Sequence, residues 1–338
     1  MKQLVWLFCF FIFGFGICSC AGCRVNFQEE DFKKEICVVT YNTQEFFDAV
    51  KDGCEYSEFK KSSDWGTEKY KIRLERLCTV IKSLNADIYI LQEIENEAVL
   101  QDISNFLAGE SWRQKDLWSY SCFSKEPDSA IGNAVFSRYP LENVKNHGID
   151  IRSEEENQPS VRPLMQVTVN TGEEKLEIFV NHWKSKSGGK EETEKWRDWQ
   201  EKVLADVLIG EKEVKSDFKG IICGDFNRDI FDFEQTKDNS DLEGNIILRG
   251  SKGNFKVKSL WIDNNGKLTS STGSYFYDEA WERIDHIFFS GDFDILEFGP
   301  QYSGDWVDEN GMPKRYRLYS GQGYSDHLPV KAVFRIKK

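Results

Sequence analysis

Short apolar, β-branched runs recur along this 338-residue chain, and the residues able to do chemistry cluster where those runs end. Ile36-Cys37-Val38-Val39 leads to Asn42, Ile88-Tyr89-Ile90-Leu91 to Glu93, and Ile178-Phe179-Val180 to Asn181-His182. Ile221-Ile222-Cys223 leads to Gly224-Asp225-Phe226-Asn227, and Arg283-Ile284-Asp285-His286 and Ser325-Asp326-His327 flank two later runs. Short runs rich in Val, Ile and aromatic residues read as strands. Acids, amides and imidazoles gathered at strand ends supply what hydrolysis of a phosphate ester requires: a cation site, a base and donors that neutralise charge. The pattern therefore reads as an enzyme.

Between the strands lie helical periods. Residues 70–84 place Leu74, Leu77, Cys78, Ile81 and Leu84 on one stripe, and residues 99–107 repeat that spacing. Residues 191–209 form a longer helix, with Trp196, Trp199, Val203 and Val207 on one side. Further strands are predicted at 131–137, 165–169, 284–290 and 330–336. Strands interleaved with helices, then mostly strands, predict an α/β fold of two packed mixed β-sheets flanked by helices, a four-layer sandwich.

The first residues do not belong to that fold. Lys2 precedes an apolar stretch over 4–17, followed by Ser19-Cys20-Ala21-Gly22-Cys23. The stretch is short for a membrane span and has the length of a signal-peptide core. Residues 1–19 read as a lipoprotein-type signal peptide, with Cys20 the lipidated first residue of the mature chain. Cys23, an ordinary cleaved signal or a single anchor helix are the competing readings. Residues 20–35 would then be a tether and 36–338 one catalytic domain, with no Pro-rich or Ser-rich linker inside it. A diacylated cysteine suffices for lasting attachment. The expectation is an exported, membrane-tethered monomer, periplasmic or at the cell surface.

Five cysteines remain beyond the leader, Cys37, Cys54, Cys78, Cys122 and Cys223. The number is odd and no pair is closely spaced, so most read as small core residues with at most two bridges. The net charge of −13 excludes nonspecific adhesion to nucleic acid, because a polyanion is repelled unless basic residues cluster locally.

Thr40-Tyr41-Asn42, Leu91-Gln92-Glu93, Asn181-His182, Gly224-Asp225-Phe226-Asn227, Arg283-Ile284-Asp285-His286 and Ser325-Asp326-His327-Leu328-Pro329-Val330 resemble, in order, the motifs of the endonuclease/exonuclease/phosphatase superfamily. Any one of these tripeptides is common; six in this order are specific, and they span nearly all of the mature chain. The resemblance implies the fold of pancreatic deoxyribonuclease and a magnesium-dependent (or manganese-dependent) phosphoric ester hydrolase. Glu93 would hold the ion, helped by Asn42 and Asp326, since Mg²⁺ takes carboxylate and amide oxygens and keeps several waters. His327 would be the general base, with Asp285 fixing its tautomer. Asp326 is a poor partner for that imidazole, because adjacent strand residues point to opposite faces. Asp225 and Asn227 would position the nucleophile, protonate the leaving oxygen or donate to phosphate, and His182 would stabilise the charge that develops. On extended backbone Asp225 and Asn227 point the same way; a turn is the alternative reading of Gly-Asp-Phe-Asn.

Asn42 also reads as a substrate contact, as do Lys184 and Lys186, which precede Ser187-Gly188-Gly189-Lys190 in a basic loop able to cradle phosphate or merely to connect to the next helix. Arg138 and Arg162 read either as phosphate contacts or as surface arginines. His286 should face away from Asp285 and be structural, and His147 has no motif around it.

Substrate choice belongs to loops rather than to this shared core. The superfamily includes DNA and RNA nucleases, sphingomyelinases and phosphoinositide phosphatases. Segments 84–96 and 283–288 most resemble secreted bacterial nucleases, which implies a nucleic acid substrate. Lys314, Arg315 and Arg317 among Tyr316 and Tyr319 read either as a surface for stacking and backbone contact with a strand or as no more than a surface loop. The alternatives are a lipid phosphodiesterase, with Phe231-Asp232-Phe233 or Trp306-Val307 entering a bilayer, and a noncatalytic surface lipoprotein that keeps the fold.

Overall fold

In the computed structural model the described residues are 34–62, 64–110, 117–149, 159, 161–236, 244–263 and 265–337; the leader, Cys20 and all but the end of the tether lie outside them. In chain order the strands begin with β1 (Ile36–Phe46), β2 (Ile88–Ile94), β3 (Tyr120–Ser124), β4 (Gly132–Ser137), β5 (Leu141–His147), β6 (Leu164–Asn170), β7 (Lys175–His182) and β8 (Gly220–Asp225). They continue with β9 (Glu234–Gln235), β10 (Ile246–Arg249), β11 (Asn254–Ser259), β12 (Tyr275–Tyr277), β13 (Ala280–Glu282), β14 (Asp285–Ser290), β15 (Phe293–Pro300) and β16 (Val330–Ile336). The helices are α1 (Ser57–Lys61), α2 (Thr67–Leu84), α3 (Glu97–Glu110) and α4 (Lys190–Val214).

One six-stranded sheet runs β15-β16-β1-β2-β4-β3 and one eight-stranded sheet runs β5-β6-β7-β8-β14-β11-β10-β9, with β12 and β13 a separate hairpin. The sheets pack face to face: Val38, Ile88 and Ile90 of the first share a core with Val167, Ile178, Val180, Ile222 and Phe288 of the second. Alternate residues of the first sheet, Val39, Tyr41, Tyr89 and Leu91, turn outward and are covered by Leu74, Leu77 and Ile81 of α2 and Val99 and Ile103 of α3. Helix α4 packs on β10 and β11 of the second sheet, burying Leu204, Ala205 and Leu208. Helix, sheet, sheet, helix is the expected four-layer α/β sandwich. Burial on both faces explains why β1, β2 and β8 read as unbroken apolar runs.

The differences lie at the margins. Strand β1 continues past Asn42 through an irregularity, where Gln44 and Glu45 take positive φ of 54° and 50°. Strands β3, β5, β9 to β13 and β15, helix α1 and the ends of α2, α3 and α4 lie outside the predicted spans: β3, β5, β9 and β15 are sheet edges and β12 and β13 are three residues each, while β11 alternates Phe255 and Val257 with exposed lysines, a period the sequence reading missed. No disulfide joins the five described cysteines, and Cys78 and Cys223 are buried in the core.

Candidate active site

Strand direction decides which residues meet. β1 and β2 run parallel, so Asn42 and Glu93 emerge at the same rim. β16 is antiparallel to β1 with Val330 opposite Thr40, which places the preceding His327 at that rim as well. In the second sheet β7 and β8 are parallel and His182 is the register partner of Asp225, while antiparallel β14 sets Asp285 opposite Asp225. Gly224 permits this closeness: its φ is 131°, and a Cβ there would lie 1.9 Å from the Asn181 carbonyl oxygen.

The two rims are joined by hydrogen bonds. Asn42 Nδ2 donates to Asp225 Oδ2 at 2.9 Å and to Glu93 Oε1 at 3.2 Å, linking a carboxylate of each sheet. The Glu45 backbone N–H fixes the other Glu93 oxygen at 2.5 Å. Ser325 Oγ donates to the Asn42 carbonyl at 2.7 Å and accepts the His327 N–H at 3.1 Å. His327 Nδ1 lies 2.8 Å from Asp285 Oδ2, and its Nε2 lies 4.0 Å from Asp225 Oδ2. His182 Nε2 faces Glu93 Oε1 at 3.7 Å and Asp225 Oδ2 at 3.8 Å. Asn42, Glu93, His182, Asp225, Asn227, Asp285, Asp326 and His327 therefore surround one shared centre.

Burial and charge set the protonation states. Burial alone would lower the His327 pKa, but the charge and hydrogen bond of Asp285, with Asp225 and Asp326, outweigh it and raise the imidazole to about 10. Asp225 is raised to about 7 by burial and then by the Asp285 charge, with His327 opposing. The proton therefore sits on His327, which the 2.8 Å contact with Asp285 holds in its charged form. His182 is held well below its ordinary value by burial, then by Arg162, so it is neutral. His286 bonds the Arg228 carbonyl at 2.9 Å and stacks on Phe288, facing away from the centre as expected.

Several expected roles change. Asn42 Oδ1 accepts the Gln44 N–H at 2.9 Å, and its amide donors hold the Asp225 and Glu93 carboxylates in position. Asn227 does not share an extended backbone with Asp225: its φ is 47°, its N–H bonds Asp225 Oδ1 at 2.8 Å, and the turn reading holds. The Asn227 side chain donates to the Trp183 carbonyl at 3.2 Å. Arg138 follows β4, whose Ser137 end pairs with the start of β2, so it lies at the opposite rim. There it pairs with Asp87 at 3.4 Å and stacks over Trp118, which rules it out as a substrate contact. Lys186 and Lys190 are neutralised by Glu282 at 2.7 Å and Asp232 at 3.0 Å, and Lys184 Nζ is turned onto its own loop at Ser185 and Ser187, so the basic loop is no free phosphate cradle. Trp306 and Val307 are buried, removing them as a membrane-entry tip, whereas Phe231 is 52% exposed.

The cation at the centre is Arg162, whose surface reading fails. It bonds the Trp183 carbonyl at 3.4 Å, acts electrostatically on His182 and Lys184, and meets the Tyr56 hydroxyl. Glu45, Tyr56 and Tyr275 were not predicted. Tyr275 lies against the His327 ring at 4.8 Å, and Glu45 is raised to about 7 by burial, then by Glu93. No spacing rule marks them, because bulges and loops bring them in.

The donors fit a hard divalent cation. Glu93 and Asp326 are 17% and 20% exposed, open enough for a hydrated ion, and with Glu45 they offer carboxylate oxygens alone. Ligand atoms of Asp225, Asp285 and His327 also lie within 4.8 Å of one another. That trio is already a hydrogen-bonded acid–imidazolium pair, and an imidazole that keeps its proton repels a metal.

Comparison with known proteins agrees. No curated protein sequence matches the chain. Among solved structures, truncated Caenorhabditis elegans TDP2 superposes with a TM-score of 0.57 at 16% identity, covering 89% of this chain and 98% of that one. A Bacteroides thetaiotaomicron mannosyl-6-phosphatase gives 0.53 at 18% identity, covering 88% and 99%. D. rerio TDP2 complexed with a single strand DNA product gives 0.52 at 14% identity, covering 89% and 99%. These likenesses show the fold. The model of the endonuclease/exonuclease/phosphatase family matches residues 37–337, from the first strand to the last, and the chain belongs to that family.

Proposed function

We propose that this protein is an exported, magnesium-dependent phosphodiesterase that hydrolyses DNA or RNA by attack of water on the phosphodiester bond. The observation that carries this reading is the His327–Asp285 pair, 2.8 Å long and 4.0 Å from Asp225, which Asn42 ties to Glu93. Mg²⁺ held by Glu93 with Asp326 would polarise a phosphoryl oxygen.

The remaining work falls to the chain. Asp285 fixes the His327 tautomer and leaves Nε2 toward Asp225. Passing the proton from His327 to Asp225 produces a neutral imidazole and a protonated carboxyl together. The imidazole then takes a proton from the attacking water, and Asp225 gives one to the departing oxygen. Arg162 and neutral His182 meet the charge that develops on phosphorus.

Two observations favour a nucleic acid strand. Tyr275 lies against His327 with Tyr277 stacked beside it at 6.2 Å and 65% exposed, and Arg315, its side chain 67% exposed, sits 3.8 Å from Asp326. An aromatic step beside an exposed guanidinium suits a base and its neighbouring phosphate. The leader supports export and tethering through Cys20.

Incubation with single-stranded DNA, RNA, sphingomyelin, an inositol phosphate and a sugar phosphomonoester, with Mg²⁺ or chelator, tests the reading. Cleavage of DNA or RNA, abolished by chelator, is expected. Turnover of the phosphomonoester or lipid alone would overturn the nuclease reading, and turnover of none would leave a noncatalytic surface lipoprotein.

A further inference from the structure

Behind the centre, the loop after β1 returns beside the end of β2 and carries a second acidic group. Ligand atoms of Asp52, Glu55 and Glu95 lie within 4.8 Å of one another, and Asp48 acts on the same group. Glu95 is wholly buried, Glu55 is 4% exposed and Asp48 9%, so this is not a solvated acidic surface. Backbone N–H groups account for part of the charge: Asp52 and Gly53 donate to the two Glu55 oxygens, and Asp48 donates to Glu95 Oε2. Glu95 Oε1, on the fully buried side chain, has no hydrogen-bond partner at all. No ion pair among the described residues joins these carboxylates to a lysine, arginine or histidine. Lys51, the nearest lysine in sequence, is turned away onto the carbonyls of Lys60 and Ser62 at 3.2 and 2.9 Å. Buried carboxylates are strongly disfavoured unless a cation or a full set of donors compensates them.

We propose that Asp52, Glu55 and Glu95 form a second divalent-cation site, separate from Glu93, that takes Ca²⁺. The donors are carboxylate oxygens only, which selects a hard cation. Oxygens on opposite sides of Ca²⁺, each about 2.4 Å from it, stand about 4.8 Å apart, and the ligand atoms of this group all lie within that distance of one another. Glu95 directly follows strand β2 and the loop supplies the others, so the ion would pin the loop to the end of the sheet. The same loop delivers Tyr56, packed on Phe47 at 5.5 Å, to Arg162. The site thus holds in place one wall of the reaction centre.

Thermal unfolding of the metal-stripped protein, with and without CaCl₂ and against a background of saturating Mg²⁺, tests this. Ca²⁺ should raise Tm by at least about 3 °C in the parent. The rise should disappear in Glu95→Gln and in Asp52→Asn, and persist in Glu93→Gln. Asp52 is exposed, so its variant keeps the test decisive even if Glu95→Gln fails to fold. No rise in the parent, or an undiminished rise in Asp52→Asn, would overturn the proposal. Loss of the rise in Glu93→Gln would mean that Ca²⁺ binds only at the reaction centre and would overturn it equally.

Discussion

At the scale of single residues, the account rests on charge held in small volumes. Asp285 is fully buried, one of its oxygens bonds His327 and the other has no partner, so its charge is spent on the imidazole. His327 is raised from 6.5 to about 10, hence its base form grows as pH rises through neutrality toward that value. Asp285→Asn removes the charge responsible, so the rising limb of kcat/KM should move to lower pH while kcat falls roughly a hundredfold or more. An unmoved limb would show that Asp285 does not set this pKa. Arg162→Ala should raise KM for the phosphate substrate by about tenfold or more, as expected for a charge-assisted contact, with folding intact. Unchanged KM would return Arg162 to a structural role. Histidine and carboxylate signatures at strand ends were legible in the sequence because each needs only its own strand. Tyr56 and Glu45 were not, because their positions depend on a loop and on a bulge whose φ values no periodicity reports, and Arg162 was legible only as one of two alternatives.

At the scale of elements, the site is a consequence of register. The parallel pair β7–β8 puts His182 beside Asp225, and the crossing between them is so close that Gly224 has the Asn181 backbone where a side chain would begin. Gly224→Ala should destabilise the protein by about 2 kcal/mol or more and lower activity, since β8 must shift and carry Asp225 with it. Chemical denaturation and a rate assay on the folded fraction check both, and parent-like stability would show that the strands tolerate separation. Helix α4 braces the same region, with Arg228 buried against Glu194, Asp198 and Glu201. The periodicity of 191–209 found this helix but put Trp196, Trp199, Val203 and Val207 on one stripe, whereas the buried face is Arg197, Gln200, Glu201, Leu204 and Leu208, turned inward by the clamp on Arg228. Arg138 shows the opposite failure: a recognisable segment placed at the wrong rim, because only pairing with antiparallel β4 fixes its end of the sheet.

At the scale of the whole molecule, two sheets with separate contributions meet at one edge, and neither holds the chemistry alone. The first supplies Asn42, Glu93 and His327, the second His182, Asp225 and Asp285, and the Asn42–Asp225 hydrogen bond joins them. The four-layer fold was legible because buried strands are apolar on both faces and the helices carry clear stripes. The central claim is that this edge hydrolyses phosphodiesters with a bound cation, and the most direct measurement is cleavage of a labelled single-stranded DNA or RNA by the parent, Asp225→Ala and His327→Ala, each titrated with Mg²⁺. The account predicts Mg²⁺-dependent cleavage by the parent and a loss of about a hundredfold or more in each variant with folding retained. Cleavage by either variant at the parent's rate, or by the parent in chelator, would contradict it.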